Sequence, residues 1–306
     1  MIQVKVLDET SPLEAVILGL PNNFGGVPKV EDAYDPKSKF HIVNGSFPSE
    51  ASISAEMAAF REVLVRHGVE VLRPDDIDGL NQVFSRDIGM VIGDQFVVPK
   101  ILDHRRYEKD GIERIINQIP PDHILRVHGE ARIEGGDIMP WHGKIFAGYS
   151  KEEDFQKYIV SRTNEAGIDF LISNFPDWEV HAFELNKSDD DPFQNALHLD
   201  CCFQPIGKDK AIIFPDGFKH AEDADYLIDF FGKENVIIIT REEMYEMCSN
   251  IFSISPEVVV SEKGFGRVNG ELRKMGFTVE EVPYAEVGKM EGLLRCSTLP
   301  LRRRYV

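Results

Sequence analysis

Four short segments concentrate the side chains able to do covalent chemistry: Phe84-Ser85-Arg86-Asp87, Glu134-Gly135-Gly136-Asp137, His198-Leu199-Asp200 and Gly292-Leu293-Leu294-Arg295-Cys296-Ser297-Thr298. Together they hold a thiol, an imidazole and several carboxylates, the groups from which nucleophilic catalysis with a general acid/base is assembled. Taken singly, each has a plainer explanation. Arg86-Asp87 reads as a surface ion pair, Glu134–Asp137 as a glycine-rich turn, His198 as a histidine satisfied at a strand end, and Cys296 as a small buried hydrophobe. What sets them apart is position: each lies beside an apolar run with the character of a β-strand.

Those runs come in pairs. Asp87–Lys100, Gly135–Ser150, Leu199–Asp216 and Asn250–Glu262 each read as an apolar stretch, a short polar or glycine-containing break and a second apolar stretch, the signature of a hairpin. Glu14–Leu20 opens a fifth, atypical copy. Helical patterns follow. Ser54–His67 carries Met57, Phe60, Val63 and Leu64 at close to a 3.6-residue period; Gly68 stops it, and Val69–Leu72 reads as a strand. The same helix–glycine–strand phrase recurs at Ala224–Thr240 and Glu271–Val282, with Gly232 and Gly276 as the stops. Repeats of this kind predict either a closed array of ββαβ units or an ordinary α/β sandwich. In an array, the same end of every unit faces a common axis, so the four polar segments would converge there.

Composition bounds the function. The 306 residues carry 34 Lys+Arg against 52 Asp+Glu, a net charge of −18. That balance speaks against a nucleic-acid surface, which needs positive patches, and against an anionic membrane; it suits a cationic small molecule. No apolar run reaches the ~18–20 residues of a membrane span. The N-terminus lacks signal-peptide blocks, so the expected location is the cytoplasm. Cys201, Cys202, Cys248 and Cys296 contain no C-x-x-C spacing and form neither a disulfide framework nor a zinc ribbon. Cys201 and Cys202 read as strand core, Lys187–Asp191 as a solvated loop, Arg302-Arg303-Arg304 as a basic tail, and Asn250 as a candidate neighbour of the axis.

The set resembles the guanidino-group-modifying superfamily of arginine deiminases, dimethylarginine dimethylaminohydrolases and glycine amidinotransferases. Val71–Asp75, Ser85-Arg86-Asp87, Glu134–Asp137, His198-x-Asp200 and Arg295-Cys296-Ser297-Thr298-Leu299-Pro300-Leu301 carry the resemblance, which runs over nearly the whole chain. It implies an α/β fold of pentein type: a five-bladed ββαβ propeller with pseudo-fivefold repeats, forming a single domain over residues 1–306. It further implies that Asp87 and Asp200 grip a planar guanidinium by charge-assisted hydrogen bonds. Cys296 would attack the guanidino carbon to form a thiouronium intermediate. His198 would serve as acid and base, Glu134 would orient His198, and Asp137 would lie near the substrate. No metal and no cofactor are expected; the partner is a small guanidino compound, and a homodimer stays open. The leading reading is a hydrolase. An amidinotransferase shares every named residue, and a noncatalytic binding protein on the same fold is the rival from another class, although such a protein has no physical need of the joint Cys–His–carboxylate set.

One departure bears on substrate choice. Glu291 stands where arginine deiminases carry an arginine near the substrate carboxylate. A substrate carboxylate beside Glu291 would meet like-charge repulsion, with no basic residue near the motif to replace the lost partner, which predicts a preference for substrates whose far end is neutral or cationic, or whose carboxylate binds elsewhere; a loop shift would instead turn Glu291 to solvent.

Overall fold

The computed structural model describes residues 1–305. Among the described residues, fifteen strands form five three-stranded sheets of one design. Strand β1 (Leu13–Leu18) pairs parallel with β2 (Glu70–Leu72). Then β3 (Met90–Ile92), β4 (Gln95–Val98) and β5 (Ile124–Arg126) form a sheet in which the first pair is antiparallel and the second parallel. The same arrangement recurs in β6 (Ile138–Trp141), β7 (Lys144–Tyr149) and β8 (Glu179–Glu184). It recurs again in β9 (Phe203–Ile206), β10 (Lys210–Ile213) and β11 (Val236–Ile238), and in β12 (Phe252–Ser255), β13 (Val258–Glu262) and β14 (Thr278–Val282). Finally β15 (Thr298–Arg303) pairs antiparallel with β1. The fifth unit is therefore built from both ends of the chain, which is why Glu14–Leu20 reads as atypical. The Arg302–Arg304 stretch is correspondingly no free tail: Arg302 and Arg303 belong to β15, and Arg303 is buried.

Local chemistry explains the units. The hairpin of β6 and β7 turns on His142 (φ 46°) and Gly143 (φ 85°), the paired positive dihedrals that match the twist of the flanking strands. Each parallel third strand needs a crossover. The helix Glu50–Arg66 supplies the first. It begins four residues earlier than its periodicity suggests, because Ser49 caps it by accepting from the Ser52 N–H at 3.1 Å. It buries Ile53, Met57, Phe60, Val63 and Leu64, and Gly68 follows at φ 78°. Helices Ala221–Phe231 and Gly266–Lys274 repeat the device, with Gly232 at φ 83° and Gly276 at φ 93°.

The consequence for function lies where the units begin. Asp87 precedes β3, a 3-10 turn Gly135–Asp137 precedes β6, a second 3-10 turn Leu199–Cys201 precedes β9, Asn250 precedes β12, and Cys296 precedes β15. Every sheet thus contributes the residues just ahead of its first strand.

Candidate active site

These five chain segments meet. Asp87, His198 and Cys296 line one cavity of about 340 Å3, a volume suited to a small molecule. The glycines of Glu134-Gly-Gly-Asp137 serve close approach rather than a mere turn. A Cβ on Gly136 would lie 2.6 Å from His198 Nδ1 and 3.0 Å from Asp87 Oδ1; one on Gly135 would lie 2.1 Å from the Arg86 carbonyl oxygen. The Gly136 N–H in turn donates to Asp87 Oδ1 at 3.2 Å.

His198 is held from behind. Its Nε2 lies 3.0 Å from Glu134 Oε2; a carboxylate only accepts, so this nitrogen carries the proton. Nδ1 has no hydrogen-bond partner among the described residues and lies 3.8 Å from Asp87 Oδ1. Burial alone would lower the basicity of the ring, but Asp87, Asp137 and Glu134 outweigh it and hold the imidazolium above its usual range. Glu134 is itself fully buried and accepts from the Leu102 N–H (3.0 Å), Arg162 Nη1 (3.2 Å) and Arg105 Nη1 (3.4 Å). Burial would raise its carboxyl, yet Arg162, His198 and Arg105 hold it well below the usual carboxylate range.

Cys296 is gripped by Asn250. The side-chain oxygen of Asn250 accepts from the Cys296 N–H at 3.1 Å, which turns its amide nitrogen onto Sγ at 3.2 Å. Asp200 Oδ2 lies 3.5 Å from the same sulfur. Burial first, then the Asp200 and Asp87 carboxylates, push the thiol well above its ordinary range. The sulfur is therefore a protonated thiol, and a cation placed among these carboxylates would favour its ionisation.

Three expected residues stand differently from the sequence reading. Asp200, expected to grip the guanidinium, is fully buried, does not line the cavity and accepts from Arg295 Nη1 at 2.8 Å. Asp137 is wholly buried and does not line the cavity. Its Oδ1 accepts from the Leu199 N–H at 3.0 Å, so it braces the His198-Leu199-Asp200 turn instead of meeting a ligand. Glu291 neither turns to solvent nor presents a free charge. It lines the cavity at 5% exposure, at φ 57°, and accepts from Asn195 Nδ2 (2.6 Å) and the Lys37 N–H (3.1 Å). Burial, then the neighbouring Asp35, raise its carboxyl well above the usual range.

The sequence reading also missed the cavity's own cations. Arg105 lines the cavity and donates from Nη1 to Asp87 Oδ2 at 2.8 Å, while Glu108 holds its other nitrogens. Arg162 lines it too; its Nη2 donates to the Tyr34 carbonyl at 3.2 Å, it lies over the Tyr34 ring, and its Nε is buried without a partner. Both lie in segments without hairpin or motif character, in the crossovers after β4 and β7, and only their basic side chains could have flagged them. Both arginines are basic residues beside the cavity that the expected preference for a neutral or cationic far end did not count, and the raised Glu291 carboxyl weakens the repulsion it assumed.

Ligand atoms of Asp87, Glu134 and His198 lie within 4.8 Å of one another, close enough to hold a metal ion. Two guanidinium groups already neutralise these carboxylates, so an added cation would meet Arg105 at Asp87 and Arg162 at Glu134.

A family model described as "N,N dimethylarginine dimethylhydrolase, eukaryotic" matches residues 47–303. The uncharacterised protein YkgA of Bacillus subtilis (strain 168) is 28% identical over 243 residues, covering 79% of this chain and 77% of that protein. Among solved structures, SxtG, an amidinotransferase of Microseira wollei, superposes with TM-score 0.78 at 19% identity over 99% of this chain and 98% of that one. The N-terminal domain of ArgZ, a cyanobacterial arginine dihydrolase, superposes with TM-score 0.77 at 18% identity over 94% and 97%. A variant of that domain has been solved covalently bonded to a reaction intermediate. At these identities the superpositions speak to the fold, and the five ββαβ sheets here form the same pentein-type propeller.

Proposed function

The chain belongs to the family described as N,N dimethylarginine dimethylhydrolase, eukaryotic, and we propose that it is a cysteine-dependent hydrolase acting on the guanidino carbon of a small molecule, with residues 1–306 working as one domain. The observation that carries this reading is the convergence on one cavity of the Cys296 thiol, the unpartnered Nδ1 of His198 and the carboxylate of Asp87.

The chemistry follows from the geometry. A substrate guanidinium enters beside Asp87 and reaches towards Asp200 behind the sulfur, displacing the Arg105 nitrogen from Asp87. Its positive charge offsets the two carboxylates that hold the thiol protonated, so the thiol gives its proton to water as substrate binds, and the sulfur recovers a proton when the ureido product leaves. The thiolate adds to the guanidino carbon. His198, kept protonated by its carboxylate neighbours, delivers the Nδ1 proton to the departing nitrogen, the C–N bond breaks, and an amine or ammonia leaves a thiouronium on Cys296. His198 then takes a proton from water as the oxygen adds to that carbon, the C–S bond breaks, and the ureido product leaves. Glu134 orients the ring throughout and stabilises its charged form. Asp137 keeps the His198–Asp200 turn in place.

Arg105 and Arg162 line the cavity, but their charges are already paired with Asp87, Glu108 and Glu134, so this reading names the guanidino group and leaves the substrate's far end open. The test is incubation with a panel of guanidino compounds, with and without acceptor amines, followed by mass spectrometry. Ureido product without an acceptor, together with an adduct on the Cys296 peptide, is expected. Product only with an acceptor would make the protein an amidinotransferase. Unaltered turnover in Cys296→Ser, where a loss of about 10⁴-fold or more is expected, would overturn the covalent mechanism.

A further inference from the structure

Beneath the cavity lies a buried ion pair that the reaction as described does not use. Residues 5–8 run across three sheets through isolated bridges, Lys5 to Arg302, Val6 to Gly93 and Asp8 to Trp141, and deliver Glu9 to the interior. There Arg295, fully buried, engages all three guanidinium nitrogens. Nε and Nη2 donate to the two oxygens of Glu9 at 3.3 and 3.2 Å. Nη1 donates to Asp200 Oδ2 at 2.8 Å and to the Gly136 carbonyl at 3.2 Å, and Nη2 also reaches the Ile138 carbonyl at 2.9 Å. Asp200 Oδ2 is the same oxygen that lies 3.5 Å from Cys296 Sγ. One guanidinium therefore ties together Asp200, the residue adjoining the sulfur, and Gly136, whose bare Cα admits His198 and Asp87.

Resting on the function proposed above, we infer that Arg295, clamped by Glu9, is the positioning residue that sets Asp200 against Cys296 and so governs how readily the thiol ionises. The charges have opposite signs of effect. Arg295 opposes the Asp200 carboxylate next to the sulfur; Glu9 in turn opposes Arg295. Glu9 is ionised despite its burial, because Arg295 and Arg86 outweigh the desolvation. The other titratable groups around the thiol are Asp87, Cys201 and Tyr284, with His198 on the same cavity. Arg105, Arg162 and Glu291 line the cavity as well, and neither Glu9 nor Arg295 touches them. A structural clamp alone would hold the fold without moving the ionisation of Cys296 in two directions.

The experiment is the pH dependence of iodoacetamide alkylation at Cys296, read on its own peptide by mass spectrometry, in the full chain. Glu9→Gln should shift the titration to lower pH. Arg295→Gln should shift it to higher pH by about 1 unit, the size expected for loss of an opposite charge within hydrogen-bonding distance of the coupled carboxylate. Arg295→Lys keeps the charge but cannot fork between Glu9 and Asp200, so its titration should stay near that of the parent while kcat/KM falls. Titrations that do not move in Glu9→Gln and Arg295→Gln, or that move the same way in both, overturn the inference. If Arg295→Gln does not fold, the absence of a downward shift in Glu9→Gln overturns it alone. Failure of the functional reading shows separately, as turnover surviving in Cys296→Ala.

Discussion

Replacing Gly136 with alanine adds one methyl group at the most crowded point of the site. Gly136 does not sit in the left-handed region, so alanine meets no backbone penalty there, and any effect comes from the methyl itself. The new Cβ would lie 2.6 Å from His198 Nδ1, 2.7 Å from its Cγ and 3.0 Å from Asp87 Oδ1. Ordinary contact begins near 3.4 Å, so the ring must retreat by about 0.8 Å to relieve the overlap. Its far edge is held to Glu134 at 3.0 Å, so it cannot withdraw without straining that bond. A displacement of about 1 Å in a reacting group costs on the order of 10²-fold in rate, whereas overpacking of this kind costs about 1–3 kcal/mol of stability. Gly136→Ala is therefore expected to stay folded and lose about 10²-fold in kcat, measured by steady-state kinetics beside urea unfolding. Gly135→Ala is the contrast: its Cβ would strike backbone, the Arg86 carbonyl oxygen at 2.1 Å and that of Gly89 at 3.0 Å. Backbone has less room to yield than a side chain, so the larger loss should appear in stability. A folded Gly136→Ala enzyme within a few-fold of parental kcat would refute the reasoning.

Three further outcomes are expected. Glu134→Gln leaves Arg162 and Arg105 facing a neutral amide and should lose about 3–5 kcal/mol in urea unfolding, the usual penalty for breaking a buried ion pair; a loss below about 1 kcal/mol would mean these charges are solvated after all. Stability should depend on pH through the same pair. The depressed Glu134 carboxyl contributes fully above 4.5 and progressively less as pH falls below it, while the raised His198 contributes fully below 6.5 and loses its share as pH climbs through its higher folded value. Unfolding measured from pH 3 to 9 should show the acid limb flattened in Glu134→Gln and the alkaline limb flattened in His198→Gln, and identical profiles in all three proteins would contradict the assignments. Because burial and Asp35 disfavour the charged form of Glu291, Glu291→Gln should leave the ratio of kcat/KM for L-arginine over agmatine unchanged; a marked rise in that ratio would show that a charged Glu291 had been repelling the carboxylate.

Much of this protein is written locally in its chain. Alternating apolar runs broken at Gly93 and His142-Gly143, and helices stopped by Gly68, Gly232 and Gly276, specify ββαβ units because hairpins and helix ends depend on near neighbours. The residues before each first strand stand out by type, so Asp87, Glu134, His198, Asp200 and Cys296 were visible as a set before any contact between them was known. What the chain does not show locally depends on charges and strands brought together from far apart. The fifth unit needed β15 to return to β1, which turned an apparent basic tail into a buried strand. Arg105 and Arg162 sit on crossover segments with no pattern of their own, and only folding sets them against Asp87 and Glu134. Glu9 reaches Arg295 from the other end of the chain. The side chain of Glu291 carries a charge in water, and its raised carboxyl here follows from burial next to Asp35, a property of the surroundings that no residue type displays. Sequence determined which groups could react and on what repeating scaffold; tertiary structure decided their protonation, their partners and which of them face the cavity, because those depend on dielectric and distance rather than on order along the chain.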